Sequence, residues 1–239
     1  MMRNVITIPS ENGNPLIIAS DNSGAIGLKK HDHVQVSYEM VAYYSFRVAA
    51  MECMAAGGNI KAVVLNNFCG DDSWEALVRG IRKGLSELGV KDAEITGSTE
   101  SNFSLLQSAI GVIVMGEGTK SNASVGEFTN EKKLAVIGQP LVGDEVIALE
   151  NQVAPLHMFK EISRLQDVVT WPVGSKGILH ELKRMYPNGD FNKETAVIDL
   201  DMEKSSGPAT CFIVRYPADQ ESAVTQFAGG HFHSLKIQK

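Results

Sequence analysis

Between Glu39 and Gly58 the chain reads EMVAYYSFRVAAMECMAAGG, a segment apolar on almost every side, and an apolar strand begins within three residues of its Gly-Gly. A helix that is hydrophobic nearly all round must be covered on most of its faces. Gly57 and Gly58 supply the left-handed residue that ends it. The strand runs from Lys61 to Phe68, apolar at first and then polar. From Ser73 to Leu88, the residues Trp74, Leu77, Ile81, Leu85 and Leu88 fall at helical spacing, with Asp72 or Ser73 as N-cap and Gly89 beyond the end. A buried helix, a strand and an amphipathic helix in direct succession require a layered fold, with the first helix in its core.

The remaining segments extend this pattern. Pro15 to Ser20 reads as a short strand that stops at the turn-rich Asp21-Asn22-Ser23-Gly24. Residues 95–105 (ITGSTESNFSL) read as a polar loop, Ala109 to Met115 as a strand, and Gly116 to Lys132 as a mobile connection. A boundary near Val142-Gly143-Asp144 divides the chain into domains 1–140 and 141–239. In the second domain we expect a strand at Glu145–Leu149, a helix at Leu156–Leu165 and a helix within PVGSKGILHELKRM that ends before Pro187. Strands at Thr195–Asp201 and Ala209–Tyr216 and a helix around Asp219–Ala228 complete a smaller α+β unit.

Composition excludes several function classes. A net charge of -6 argues against a nucleic-acid partner, which needs a basic face to displace phosphate counterions. No apolar run approaches the ~20 residues of a membrane helix. Cys53, Cys69 and Cys211 are odd in number, far apart and outside any C-x-x-C pattern, so we expect no disulfide framework or zinc site. With no secretory leader visible at the start, the expected location is the cytoplasm.

Three strand ends are more polar than a turn requires: Asp21 to Gly24, Asn66 to Asp72, and Thr96 to Asn102. Polar residues at strand ends collect where a ligand can reach them. Carboxylates, amides, hydroxyls and glycine together suit a magnesium triphosphate, although no Walker A sequence is present. Each residue also has a plainer reading. Asp21 can initiate a turn, Asp72 can cap a helix, Asp71 can face the helix dipole, and Cys69 can be a small buried filler. The run KKHDH, with His31 and His33, reads as a solvated loop. Glu52 stands out, because a carboxylate in an apolar helix is costly without a partner and Arg47, five residues earlier, lies off its face.

These segments resemble the aminoimidazole ribonucleotide (AIR) synthetase and thiamine-monophosphate kinase superfamily over nearly the whole chain. Asp21-Asn22-Ser23-Gly24 is similar to its Asp-Gly-x-Gly turn, the segment from Met51 to Gly57 to its acid-bearing helix, and Val64-Leu65-Asn66-Asn67-Phe68 to its next strand. Thr96-Gly97-Ser98-Thr99 resembles its Gly-Gly-acid-Thr loop, Gly138 to Asp144 its interdomain linker, and Val173 to His180 its second Gly-rich turn and helix. DNSGAIGLKKHD, AYYSFRVAAMECMAAG and GSTESNFSLLQSAIG are most similar to the α-ribazole kinase branch. The sequence departs where the helix reads Met51-Glu52 in place of Asn-Asp, and where Ser98 replaces an acid with Glu100 two residues on.

The resemblance implies a two-domain α+β AIR-synthase-like fold, with an ATP-binding N-terminal domain that pairs through its sheet as a homodimer. It implies transfer of phosphate from ATP to the 5-hydroxyl of α-ribazole, in salvage of the lower ligand of cobalamin. Asp21, Glu52 and Glu100 would hold magnesium. Asn22, Gly24, Asn66, Gly97, Ser98, Thr99 and Lys176 would contact the nucleotide, and Asp71 would orient the acceptor hydroxyl. Another small-molecule kinase of the superfamily and a non-catalytic nucleotide-binding regulator remain as alternatives.

Overall fold

In the computed structural model, residues 4–11, 13–118, 125–129 and 131–238 are described. The chain divides into two compact units, Met2–Ser121 and Asn122–Lys239. In chain order the first holds β1 (Val5–Ile8), β2 (Leu16–Gly24), β3 (Ile26–Gly27), β4 (Val34–Gln35), α1 (Tyr38–Ala55), β5 (Gly58–Asn67), α2 (Trp74–Glu87), β6 (Glu94–Thr99) and β7 (Ala109–Gly118). Its main sheet has the order β1-β2-β7-β5-β6, and β5–β6 is its one parallel pair among the described residues.

Helix α1 forms where its composition demands. Ser37 accepts the amide of Met40 as N-cap, and Gly57, at φ 84°, turns the chain out of the helix. Ala42, Phe46, Ala49, Ala50, Met51 and Cys53 are fully buried, because α1 lies against β2, β5 and β7 on one side and α2 on the other. The two helices approach closely at Gly80 of α2, where a Cβ would strike the Glu39 carbonyl and the Tyr43 amide of α1.

Register assigns each strand residue a side. Ile17, Ala19, Val63, Leu65, Val112 and Val114 face the helices and are buried. Ile18, Ala62, Val64, Ile113 and Met115 alternate onto the opposite side and are half-buried.

The second unit contains β8 (Lys132–Ile137), α3 (Asp144–Ala148), α4 (Leu156–Ser163), β9 (Val169–Pro172), α5 (Gly177–Met185), β10 (Ala196–Val197), β11 (Phe212–Pro217), α6 (Glu221–Ala228) and β12 (Phe232–Ile237). Its antiparallel sheet has the order β10-β12-β8-β11-β9. From Leu134 to Ile137 the central strand β8 is buried on both faces. One face packs with Trp171, Ile178, Leu182 and Ile213 in a core over α5, and Phe159 of α4 meets Phe212 edge to face on β11.

Several local expectations are corrected. Asp21 to Gly24 is no turn: all four residues pair with β7, and the chain reverses only at Ala25, at φ 60°. Nine consecutive partners on β7 outweigh the turn preference of Asp, Asn and Gly. Residues 95–99 form β6 for the same reason, paired to β5. Of the expected strand Glu145–Leu149, residues 145–148 are helical within α3 and Leu149 is its C-cap, because Gly143 at φ 60° redirects the chain and the Glu145 carboxylate accepts the Val142 amide at 3.3 Å. Of the expected connection 116–132, residues 116–118 extend β7 and Lys132 opens β8, while 119–124 and 130 lie outside the described residues. The division between units precedes β8 rather than residue 140, because β8 pairs with β11 and β12. Strands β9 and β12 carried no sequence signal that we read.

Gly80→Ala is expected to lower stability by about 1–3 kcal/mol by forcing α1 and α2 apart. Denaturant unfolding measures this, and stability equal to wild type would show that the helices can shift at no cost.

Candidate functional site

The polar strand ends meet at one end of the first sheet, divided between its two sides. On the side away from the helices, Asn22 of β2 pairs with Gly111 of β7, Gly111 with Asn66 of β5, and Asn66 with Ser98 of β6. These four residues form a straight row across four strands. Gly111 adds no side chain to the row, and a Cβ there would only touch the Asn66 amide nitrogen, at 3.4 Å. Two carboxamides and a hydroxyl on one surface can donate to and accept from a sugar, base or phosphate.

On the helix side, Asp21 is half-buried and accepts hydrogen bonds from the Asn22 amide and the Ser45 hydroxyl of α1. Removal from water outweighs both bonds and pushes its carboxyl up to about 7. One row further, Asn67 donates to Thr99 Oγ1 and the Gly70 carbonyl, each at 3.0 Å. Its amide oxygen accepts from Cys69 N at 2.8 Å and Ser73 Oγ at 3.1 Å. This knot shapes the turn from β5 into the 3-10 segment Asp71–Ser73 that precedes α2. The polarity of Asn67 and Ser73, and the engagement of Thr99, are thus explained by structure.

The other expected residues are more dispersed. Glu52 sits two turns beyond Ser45 on the same stripe of α1, about 10 Å along the helix. Glu100 accepts the amides of Asn102 and Phe103 at 2.8 and 3.1 Å, which closes the turn after β6. No set of three or more His, Cys, Asp or Glu among the described residues is arranged to hold a metal. Asp21, Glu52 and Glu100 are therefore not gathered into one magnesium site within the protomer. Asp71 and Asp72 are exposed. Gly24 ends β2, and Gly97 lies where a Cβ would strike the Leu65 carbonyl. Lys176 belongs to the second unit, exposed beside Ser175 just before α5.

Sequence reading missed a second carboxylate at this end of the sheet. Asp32, within the run read as a solvated loop, is buried. It accepts from Ser108 N and Ser108 Oγ, each at 2.7 Å, and from Lys29 N at 2.8 Å. Burial works to raise its carboxyl, but these bonds and the Lys29 charge prevail and hold it below the ordinary range. The Lys29 ammonium donates to the carbonyls of Phe68 and Leu105 at 3.1 and 2.9 Å, and Tyr38 shares a hydrogen bond with Ser108. The loops that frame the row are thus fastened to one another. The one sequence signal was a Lys and an Asp three residues apart, which the surrounding charges obscured.

Comparison with solved structures decides the architecture. The HypE–HypF complex matches with a TM-score of 0.64 at 12% identity, over 99% of this chain and 88% of that one. Thiamine monophosphate kinase from Aquifex aeolicus matches with a TM-score of 0.64 at 12% identity, over 99% and 89%. T. maritima PurL complexed with ATP matches at 0.65 and 12% identity, covering 99% of this chain and 42% of that one. The chain has the AIR-synthase-like fold. At such identities the likeness establishes architecture alone. No family model and no curated protein matches the sequence.

Two pH dependences follow. The Asp21 carboxyl titrates higher in the folded chain than in the unfolded one, so its contribution is fully present below the unfolded value and is lost as pH rises to about 7. Asp21→Asn is therefore expected to gain stability relative to wild type between pH 4 and 7, read as a widening difference in Tm; a constant difference would contradict the buried, shifted carboxyl. Asp32 has the opposite sign: its stabilisation is present at neutral pH and lost as pH falls through its lowered pKa. Asp32→Asn should destabilise the protein at pH 7, with a smaller deficit in acid.

Proposed function

We propose that this protein is an ATP-dependent small-molecule kinase whose nucleotide binds at the polar end of the first sheet. The observation that carries this reading is the row Asn22, Gly111, Asn66 and Ser98 on one side of that end. The fold supports it, since PurL has been solved with ATP and AaThiL with AMPPCP and TMP. Asn22, Asn66 and Ser98 hydrogen-bond the nucleotide. As the oxygen of the acceptor hydroxyl bonds to the γ-phosphorus, whose bond to the bridging oxygen breaks to release ADP, Asp71, exposed at the turn after β5, orients that hydroxyl and accepts its proton.

The resemblance makes α-ribazole, through its 5-hydroxyl, the first acceptor to test, with thiamine phosphate and common nucleosides beside it. Magnesium would arrive with the nucleotide. Among the described residues no three carboxylates of one protomer are gathered around it, so no step is assigned through the metal. The apolar side of the first sheet, with Ile18, Val64, Ile113 and Met115, would pair with a second copy to form a homodimer.

Mass spectrometry after incubation with magnesium ATP tests the reading. The expected result is a product 80 Da heavier than one acceptor, formed together with ADP. Asp71→Asn should lower kcat by about 10²–10⁴-fold while ATP binding persists. Bound ATP with no product from any acceptor would replace the kinase reading with a regulatory one.

A further inference from the structure

The second unit holds a polar cavity of about 280 Å³ lined by Gln139, Asn151, Gln152, Gly230, His231 and His233, which the proposed reaction leaves unused. His231 and His233 flank Phe232 at the junction of a 3-10 turn and β12, and both line the cavity. His233 Nδ1 lies 2.9 and 3.0 Å from the two carboxylate oxygens of Asp199. An imidazole whose Nδ1 is engaged by a carboxylate coordinates a metal through Nε2. Asp199 is 70% exposed and is not part of the lining, whereas the His233 side chain is 13% exposed and lines the cavity.

We propose that His231 and His233 form a binding site for a borderline transition-metal dication of the zinc, nickel or copper(II) class. Imidazole nitrogen is a preferred donor for these ions. A ligating histidine characteristically gives its other N–H to a carboxylate, as His233 does to Asp199. Carboxamide oxygens from Gln139, Asn151 or Gln152, together with water, complete the shell. With two imidazoles and no third His, Cys, Asp or Glu ligand among the described residues, the site holds its metal exchangeably, unlike a closed four-ligand structural zinc site. Magnesium, which takes oxygen ligands in octahedral geometry, is not its ion.

Copper(II) titration of the tag-free, chelator-stripped full chain, followed by electron paramagnetic resonance, tests the proposal. One site per chain is expected, with hyperfine structure from two imidazole nitrogens and displacement by zinc. His231→Gln and His233→Gln should each remove one nitrogen from the spectrum. Asp199→Asn should weaken binding roughly 10–100-fold with Tm unchanged, because it orients the ligand without touching the metal. Absence of stoichiometric binding, or wild-type binding retained in the double His231→Gln/His233→Gln variant, would overturn the site; the second result would point instead to His31 and His33.

Discussion

Burial of α1 between the first sheet and α2 is the constraint on which the rest of the first unit depends. Each large side chain on that helix gains about 1.5–3 kcal/mol by leaving water, and the gain requires an unbroken apolar face on β2, β5 and β7. Ser45 and Arg47 are the buried polar residues of α1, and Ser45 is placed where the polar end of β2 crosses the helix, so that its hydroxyl reaches Asp21. The packing that stabilises the unit therefore also removes the Asp21 carboxyl from water and tunes its proton affinity. Close approach at Gly80 keeps this arrangement tight.

Strand alternation then separates two tasks that adjacent residues seem to share in the sequence. Asp21 and Asn22 are neighbours in the chain but lie on opposite sides of the sheet, and Asn66 and Asn67 divide in the same way. Asn67 and Thr99 turn inward and fasten the turn that leads to α2, while Asn22, Asn66 and Ser98 stay available on the outer side. Asp32, Ser108 and Lys29 fasten the neighbouring loops through buried hydrogen bonds, which are stronger for the low local dielectric. An end of the sheet held this firmly can present donors and acceptors in fixed positions, which is what binding a polar ligand without large entropic cost requires.

The second unit follows different rules. Its central strand β8 is buried on both faces from Leu134 to Ile137, so LAVI carries no alternation to mark it as a strand. Strand β12, FHSLKI, has only weak alternation, and β9 is four residues long. The helices α4, α5 and α6, by contrast, were legible because their apolar residues recur at helical spacing over at least two turns. Pairing of His233 with Asp199 was beyond sequence reading, since the two are 34 positions apart with β11 and α6 between them.

By itself the sequence determined the helices of the first unit and the apolar strands β5 and β7, because periodicity and caps are local properties. Through resemblance it also led to the AIR-synthase-like architecture. The same local view placed a turn at Asp21 to Gly24, a loop at 95–99 and a strand at Glu145–Leu149, where pairing partners and a left-handed glycine prevailed over propensity. Only the tertiary structure decided which polar residues share a surface, that Asp32 is buried while Asp71 is exposed, and that Asp21 titrates near neutrality. Those properties depend on register, burial and hydrogen-bond partners up to 76 residues away in the chain, and no local window of sequence contains them.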